Sequence, residues 1–231
     1  MPQKIFIAVP SAGYWRAPTA VAVAQMAADT AAVGIGIQVA GAEGAYTETN
    51  RNNLVDAALA IPEVAGIMWV DSDMRFPSDA LARLMSHNKD IVGAMYRERH
   101  MPFRYLGGFL DGDDGHASEG GLHRAAFLPS GMILVKRGIY QQLPRPWYRL
   151  DETGSRDDYY FCKTALMAGA EIWCDMDLTR QVEHRGEQDI GWFEEGETIV
   201  RRDTESWLDG KPPRTGRVEP GGGFHLSALR N

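Results

Sequence analysis

The sequence predicts an α/β protein with a mixed sheet flanked by helices and a small antiparallel hairpin region in its second half. Three observations carry this expectation. Over the first hundred residues, short apolar runs alternate four times with helix-patterned stretches, the rhythm of strands joined by crossover helices. Beyond them the rhythm changes to short strand-like runs around an Asp- and Gly-rich turn. Finally, 44% of the 231 residues are apolar, enough to fill one full core, most simply that of a single large domain.

Taken in order, Lys4-Ile-Phe-Ile-Ala-Val9 is a first strand, and Pro10-Ser-Ala-Gly13 turns the chain into an Ala-rich helix from about Arg16 to Ala32. Gly34 to Ala40 reads as a second strand, and the short connections favour parallel pairing. Thr47 to Ile61 is a helix with Leu54, Val55, Ala58 and Leu59 as its apolar stripe and Thr47 or Thr49 as its candidate cap. Gly66 to Val70 is a buried strand that stops abruptly at Asp71-Ser72-Asp73. Pro77 introduces a helix from about Ser78 to His87, and Asp90 to Met95 is another buried strand. These elements predict a nucleotide-binding α/β half over about residues 1–100. In the second half, Tyr105 to Leu110 and Leu122 to Phe127 read as a hairpin, Gly131 to Val135 as a strand and Lys136 to Leu143 as a short helix. Arg156 to Ala168 reads as a helix, Ala170 to Cys174 as a strand, and Thr179 to Glu183 as a last strand leading into His184. Ile190 to Leu208 is expected to be an outer helix, and the Pro- and Gly-rich stretch over 211–231 a mobile tail or a lid.

A formal net charge of -7 gives no reason to expect nonspecific binding to nucleic acid or to an anionic membrane. Local exceptions are Arg97, Arg99, His100 and Arg104 in one loop, and Arg201 with Arg202. Cys162 and Cys174 are too few for a disulfide framework and have no zinc-like spacing, which points to a reducing compartment. The chain opens directly into a strand instead of a signal peptide, so a cytoplasmic location is expected. The Ala- and Gly-rich region from Ala17 to Ala42 is broken by Gln25, Asp29 and Gln38 and is no membrane span.

The chemistry concentrates at Asp71-Ser72-Asp73. Side chains two apart on an extended chain point the same way, so both carboxylates can face one site at the carboxyl end of a strand, where open α/β sheets bind ligands. Two hard oxygen ligands leave a divalent cation open to water and phosphate oxygens. The pattern alone is weak, because a chain of this length contains Asp-x-Asp roughly once by chance. Here it occurs three times. Asp111-Gly-Asp113 lies in turn-like composition, whereas Asp175-Met-Asp177 also follows an apolar run and is a true rival. The plain alternative is that Ser72 or Asp73 merely starts or caps a following turn. Arg51 and Asn52 lie in the first turns of their helix, where free amides and an Arg fork suit a phosphate, although a solvated helix start explains them too.

The order Val9-Pro10, Arg51-Asn52, Asp71-Ser-Asp73, Gly131, Asp157-Asp158 and His184 resembles the GT-A glycosyltransferases, particularly the large inverting family 2-like group. That group carries a Val-Pro strand end, an Arg-Asn helix start, an Asp-x-Asp strand end, a Gly-led acceptor strand, an acidic pair at a helix start and a late His. The match runs over roughly residues 4–186 and departs from the pattern at Asp157, where a Glu is common. The resemblance implies a Rossmann-like GT-A sheet in one catalytic domain over 1–210, with an acceptor half from about 101. It implies a metal-dependent, hexosyltransferase-like enzyme that moves a sugar from a nucleoside-diphosphate donor, expected to be UDP-linked, to an acceptor hydroxyl with inversion.

By the same resemblance Asp73 binds Mn²⁺ or Mg²⁺ directly, Asp71 faces the ion or the nucleotide ribose, and His184 is the third protein contact of the metal. A lone His is more often an ordinary core or surface residue. Asp158 is the implied base with Asp157 beside it, against the simpler reading of both as an acidic helix start that suits the dipole. Pro10, Ser11, Arg51 and Ser72 complete the implied donor contacts. The acceptor is open among a glycan, a protein, a small molecule and a modified nucleic-acid base. A nucleotidyltransferase and a noncatalytic nucleotide-sugar-binding module are the competing functions. The first of these usually has a Gly-rich phosphate loop, for which Ala12-Gly13 is sparse.

Overall fold

In the computed structural model, residues 4–98, 105–112, 116–150 and 156–185 are described, together with the strand backbone of 188–190, 198–202 and 215–218. The opening unit is β1 (Lys4–Ser11), α1 (Ala17–Ala32), β2 (Gly36–Glu43), α2 (Thr47–Leu59) and β3 (Val64–Val70). β4 (Met74–Arg75), α3 (Ala80–Ser86), β5 (Ile91–Gly93) and β6 (Tyr96–Arg97) follow. The middle of the chain forms β7 (Tyr105–Leu106), β8 (Gly108–Phe109), α4 (His116–Glu119), β9 (Leu122–Phe127), β10 (Met132–Lys136) and α5 (Arg137–Gln142). Then come α6 (Asp157–Met167), β11 (Ile172–Asp175), α7 (Met176–Thr179), β12 (Glu183–Arg185), β13 (Gln188–Ile190), β14 (Thr198–Arg202) and β15 (Thr215–Val218).

Eight strands form the central sheet in the order β2-β1-β3-β10-β5-β11-β9-β8. β1 pairs in parallel with β2 and β3, as the short α/β connections require. β10 runs antiparallel between β3 and β5, which makes the sheet mixed. The expected hairpin is present as β8 paired with β9, although Gly107, at φ 142°, separates the strand-like run into β7 and β8. Alternation along the strands builds two cores. Phe6, Ala8, Ile67 and Trp69 face α2, α5 and α6, while Ile5, Ile7, Met68 and Val70 face α1 and α3. Each large side chain so buried contributes about 1.5–3 kcal/mol.

Four expectations need correction. α2 has no side-chain cap: Thr47 is already its first residue, and Tyr46 precedes it in an extended conformation. The strand expected over Thr179 to Glu183 begins only at Glu183. Asp175 Oδ1 accepts the Leu178 amide at 2.7 Å and winds the chain into α7 first. The helix expected over Ile190 to Leu208 is replaced, where the chain is described, by β13 and β14; β-branched Thr198, Ile199 and Val200 suit a strand, and ladders on both sides hold it. Within the expected tail, residues 215–218 are strand β15 paired with β14. A second, five-stranded sheet therefore runs β15-β14-β13-β12-β4 and meets the chain just after Asp73.

Candidate active site

The carboxyl ends of β1 and β3 open into a cavity of about 630 Å³. Pro10 and Ser11 form one wall, Asp71, Ser72 and Asp73 the floor, and Asp157, Asp158 and His184 the far side. Three helices also begin at its rim: Arg16 precedes α1, Tyr46 and Thr47 start α2, and Arg156 precedes α6. Helix N-termini present free amides and positive dipole ends, so the cavity favours an anion. Asn50 fixes the rim by donating to the carbonyls of Ser11 and Gly44, both at 3.1 Å.

Arg51 is a buried hub with 3% exposure. Its Nη2 donates to Asp71 Oδ1 at 2.8 Å, its Nε to Asp157 Oδ2 at 3.1 Å and its Nη1 to the Ser130 carbonyl at 3.3 Å. The guanidinium lies over the rings of Trp69 and Tyr148, 5.4 and 5.7 Å from their centroids. Burial opposes its charge, but Asp71 and Asp157 outweigh burial and hold the guanidinium more firmly protonated than usual. Arg51 lines the cavity, yet these bonds direct it to the protein's own carboxylates. Its neighbour Asn52 bonds the backbone of Trp147 and Tyr148, which roofs the aromatic layer under Arg51.

Both oxygens of Asp71 are engaged, because Tyr96 donates its hydroxyl to Oδ2 at 3.0 Å. The same hydroxyl accepts the Gly131 amide at 3.1 Å. This explains the glycine: a Cβ there would collide with the Tyr96 hydroxyl and lie 2.6 Å from Asp71 Oδ2. Tyr96, which sequence reasoning missed, thus ties the start of β10 to the end of β3.

Asp73 faces His184. Asp73 Oδ2 lies 3.5 Å from His184 Nε2, and His184 Nδ1 is 2.8 Å from the Arg97 carbonyl. A carbonyl only accepts, so Nδ1 carries the proton and a neutral ring turns the Nε2 lone pair toward the carboxylate. The 3.5 Å gap is long for a hydrogen bond and close to the spacing of two ligand atoms on one cation, about 3 Å at bond lengths of ~2.1 Å. A ring nitrogen tied to a backbone carbonyl is also how metal-binding imidazoles are oriented. The donor set fits a divalent cation. His184 arrives because β12 pairs with β4, placing His184 opposite Met74, one residue past Asp73. The Arg185 amide adds a 2.7 Å bond to the Asp73 carbonyl.

Asp157 and Asp158 begin α6. Asp158 is 8% exposed, and burial raises its carboxyl to about 6 despite the pull of Arg51. Its Oδ1 accepts the Tyr159 amide at 2.8 Å. The rival pairs lie elsewhere. Asp175 is a buried helix cap bonded to His87 at 2.9 Å, and Asp177 Oδ2 accepts the Gly121 amide at 3.1 Å. Asp113 and the basic residues Arg99, His100 and Arg104 lie outside the described residues.

No protein-family profile and no curated protein sequence matches the chain. Solved structures do. A197 from STIV aligns at a TM-score of 0.55 with 15% identity, over 86% of this chain and 90% of A197. The shared fold is a mixed α/β sheet flanked by helices. Looser matches are residues 1–349 of S. aureus TarS in complex with UDP and a glycosyltransferase involved in the glycosylation of the major capsid of PBCV-1. The first has a TM-score of 0.40 and 14% identity, over 72% of this chain and 56% of that one. The second has a TM-score of 0.31 and 13% identity, over 63% and 69%. The chain thus spans little more than half of the TarS fragment. Among the described residues no helix is long and apolar enough to cross a membrane.

Proposed function

We propose that this chain is a GT-A-like, metal-dependent, inverting glycosyltransferase that uses a nucleoside-diphosphate sugar, UDP-linked in our reading, and an acceptor hydroxyl. The observation that carries the proposal is the pairing of Asp73 with the oriented Nε2 of His184 on the floor of a cavity that also holds Asp158. Asp73 and His184 would hold Mn²⁺ or Mg²⁺, which supplies Lewis-acid neutralisation of a departing diphosphate. The helix starts at Arg16, Thr47 and Arg156 favour the same charge, and Pro10 and Ser11, in the wall of the same cavity, would take the donor nucleoside. Asp71, held by Arg51 and Tyr96, gives the floor a fixed carboxylate that orients the ribose or the cation's water.

Asp158 is the base. Its carboxylate takes the acceptor's O–H proton as that oxygen bonds to the anomeric carbon, while the bond from this carbon to the diphosphate oxygen breaks and its electron pair leaves with the diphosphate. Attack on the face opposite the leaving group inverts the configuration. A carboxyl raised to about 6 is a stronger base than an ordinary Asp and is still ionised at neutral pH. Calorimetric titration of UDP and of GDP, with and without Mn²⁺, into wild type and Asp73→Ala tests the donor site. The expected result is Mn²⁺-dependent binding of UDP that the variant loses; no nucleotide binding in the presence of metal, or binding that survives in Asp73→Ala, overturns the assignment.

A further inference from the structure

Toward the β9-β8 edge of the central sheet, away from the cavity at the ends of β1 and β3, α4 and the start of β9 bring together His116, Glu119 and His123. None of the three lines the cavity. One ligand atom from each lies within 4.8 Å of the other two. We propose that these three side chains form a second cation site, for an ion of the zinc class, with Asp111 orienting His116.

The arrangement has the parts such a site needs. His116 Nε2 is 2.7 Å from Asp111 Oδ2, and His116 Nδ1 is 2.9 Å from Glu119 Oε2. A neutral imidazole has a single N–H, so when Nε2 donates to Asp111 the Nδ1 lone pair is directed at the Glu119 carboxylate. Two acceptors facing each other require either a second proton or a cation between them. A carboxylate behind the distal nitrogen is the usual backing of a metal-bound histidine. His123 closes the group: its Nε2 donates to the Gly120 carbonyl at 2.5 Å, which leaves Nδ1 as its lone-pair nitrogen and backs the ring with a carbonyl. Its ring stacks on that of His116 with centroids 4.4 Å apart.

The scaffold under the cluster is rigid. Phe109, 7% exposed, meets both imidazoles edge to face at 5.2 and 6.0 Å. Gly120 and Gly121, at φ 74° and 77°, reverse the chain between Glu119 and His123, a conformation that L side chains rarely adopt. Asp177 accepts the Gly121 amide, and the Gly121 carbonyl accepts the Met176 amide at 2.8 Å, so α7 anchors the turn. A second imidazole beside one carboxylate favours zinc, whose sites are built from nitrogen and sulfur ligands, over the harder cations that take mostly oxygen ligands. An ion here would tie the loop at Asp111 to β9 and brace the edge formed by β8 and β9.

The test is Zn²⁺ titration of the chelator-stripped full chain against a chromophoric competitor, with the visible absorption of Co²⁺ as a reporter of nitrogen ligands. Asp73→Ala serves as the background that disables the cavity pair. The expected result is one Zn²⁺ retained per chain in Asp73→Ala and lost when His123→Ala or Glu119→Gln is added. Asp111→Asn is expected to weaken binding by ~10–100-fold, as the loss of an orienting carboxylate does. Glu119 is exposed, so Glu119→Gln supplies the reading if His123→Ala does not fold. Absence of Zn²⁺ binding in the Asp73→Ala background, or an affinity unchanged by Glu119→Gln and by His123→Ala, overturns the proposal and leaves His116 as a protonated ring shared by two carboxylates.

Discussion

Asp158 shows at the residue scale how a site and a stability defect can be the same group. The base must be ionised to accept a proton, so sugar transfer is expected to fall as the pH drops through about 6, read from the acidic limb of a pH–rate profile. Asp158→Asn is expected to lower the rate by about 10²–10⁴-fold while UDP still binds, read by steady-state kinetics beside calorimetry. The raised value also has a thermodynamic sign. Between about pH 4 and pH 6 the native state holds the Asp158 proton more tightly than the unfolded chain, so this group's contribution to stability is fully present below about pH 4 and is lost as the pH rises through about 6. Asp158→Asn, neutral throughout, should therefore be more stable than wild type at pH 7 by on the order of 1–3 kcal/mol and lose that advantage below about pH 4 in denaturant melts. A variant less stable at pH 7 would contradict this account of the buried carboxyl. The acidic pair was legible in the sequence as a helix start. Its burial was not, because that depends on what closes over α6.

At the element scale, the start of α2 and the ends of β3 and β10 are locked by Arg51, Asp71, Tyr96 and Gly131. Removing Arg51 leaves Asp71 and Asp157 without their cation, so Arg51→Met is expected to destabilise the fold by about 3–5 kcal/mol, measured by urea unfolding. Lysine is no substitute for a guanidinium that reaches two carboxylates and a carbonyl from between two rings. Tyr96→Phe strips Asp71 of a donor and the Gly131 amide of its acceptor, an expected loss of about 1–3 kcal/mol together with weaker nucleotide binding. Gly131→Ala should reproduce that defect by pushing the same hydroxyl away, and equal melting of Gly131→Ala and wild type would show that the contact yields. Arg51 stood out in the sequence as a cation at a helix start. Its real partners are 20 and 106 residues away along the chain, and a helix pattern carries no information about them.

For the whole molecule, the two cation sites share no side chain: one lies where β3 of the central sheet meets β12 of the second sheet, the other at the β9-β8 edge of the central sheet. The stabilisation by Zn²⁺ and that by Mn²⁺ with UDP are expected to add within about 0.5 kcal/mol in thermal melts, and a larger departure would reveal coupling through the sheet. By itself the sequence determined the alternation of strands and helices, the delivery of Asp71 and Asp73 to a strand end and the hairpin of the second half, since period, turn residues and apolar runs are local properties of a chain. Only the tertiary structure decided which aspartate pair opens into the cavity. It turned Asp175 and Asp177 into a cap and an anchor, and it brought His184 to Asp73 through the pairing of β12 with β4. The two-residue β4 has no pattern of its own, and it is a strand only because Glu183 and His184, far along the chain, pair with it. Side-chain period records which face of an element is buried, but not which distant strand will cover it.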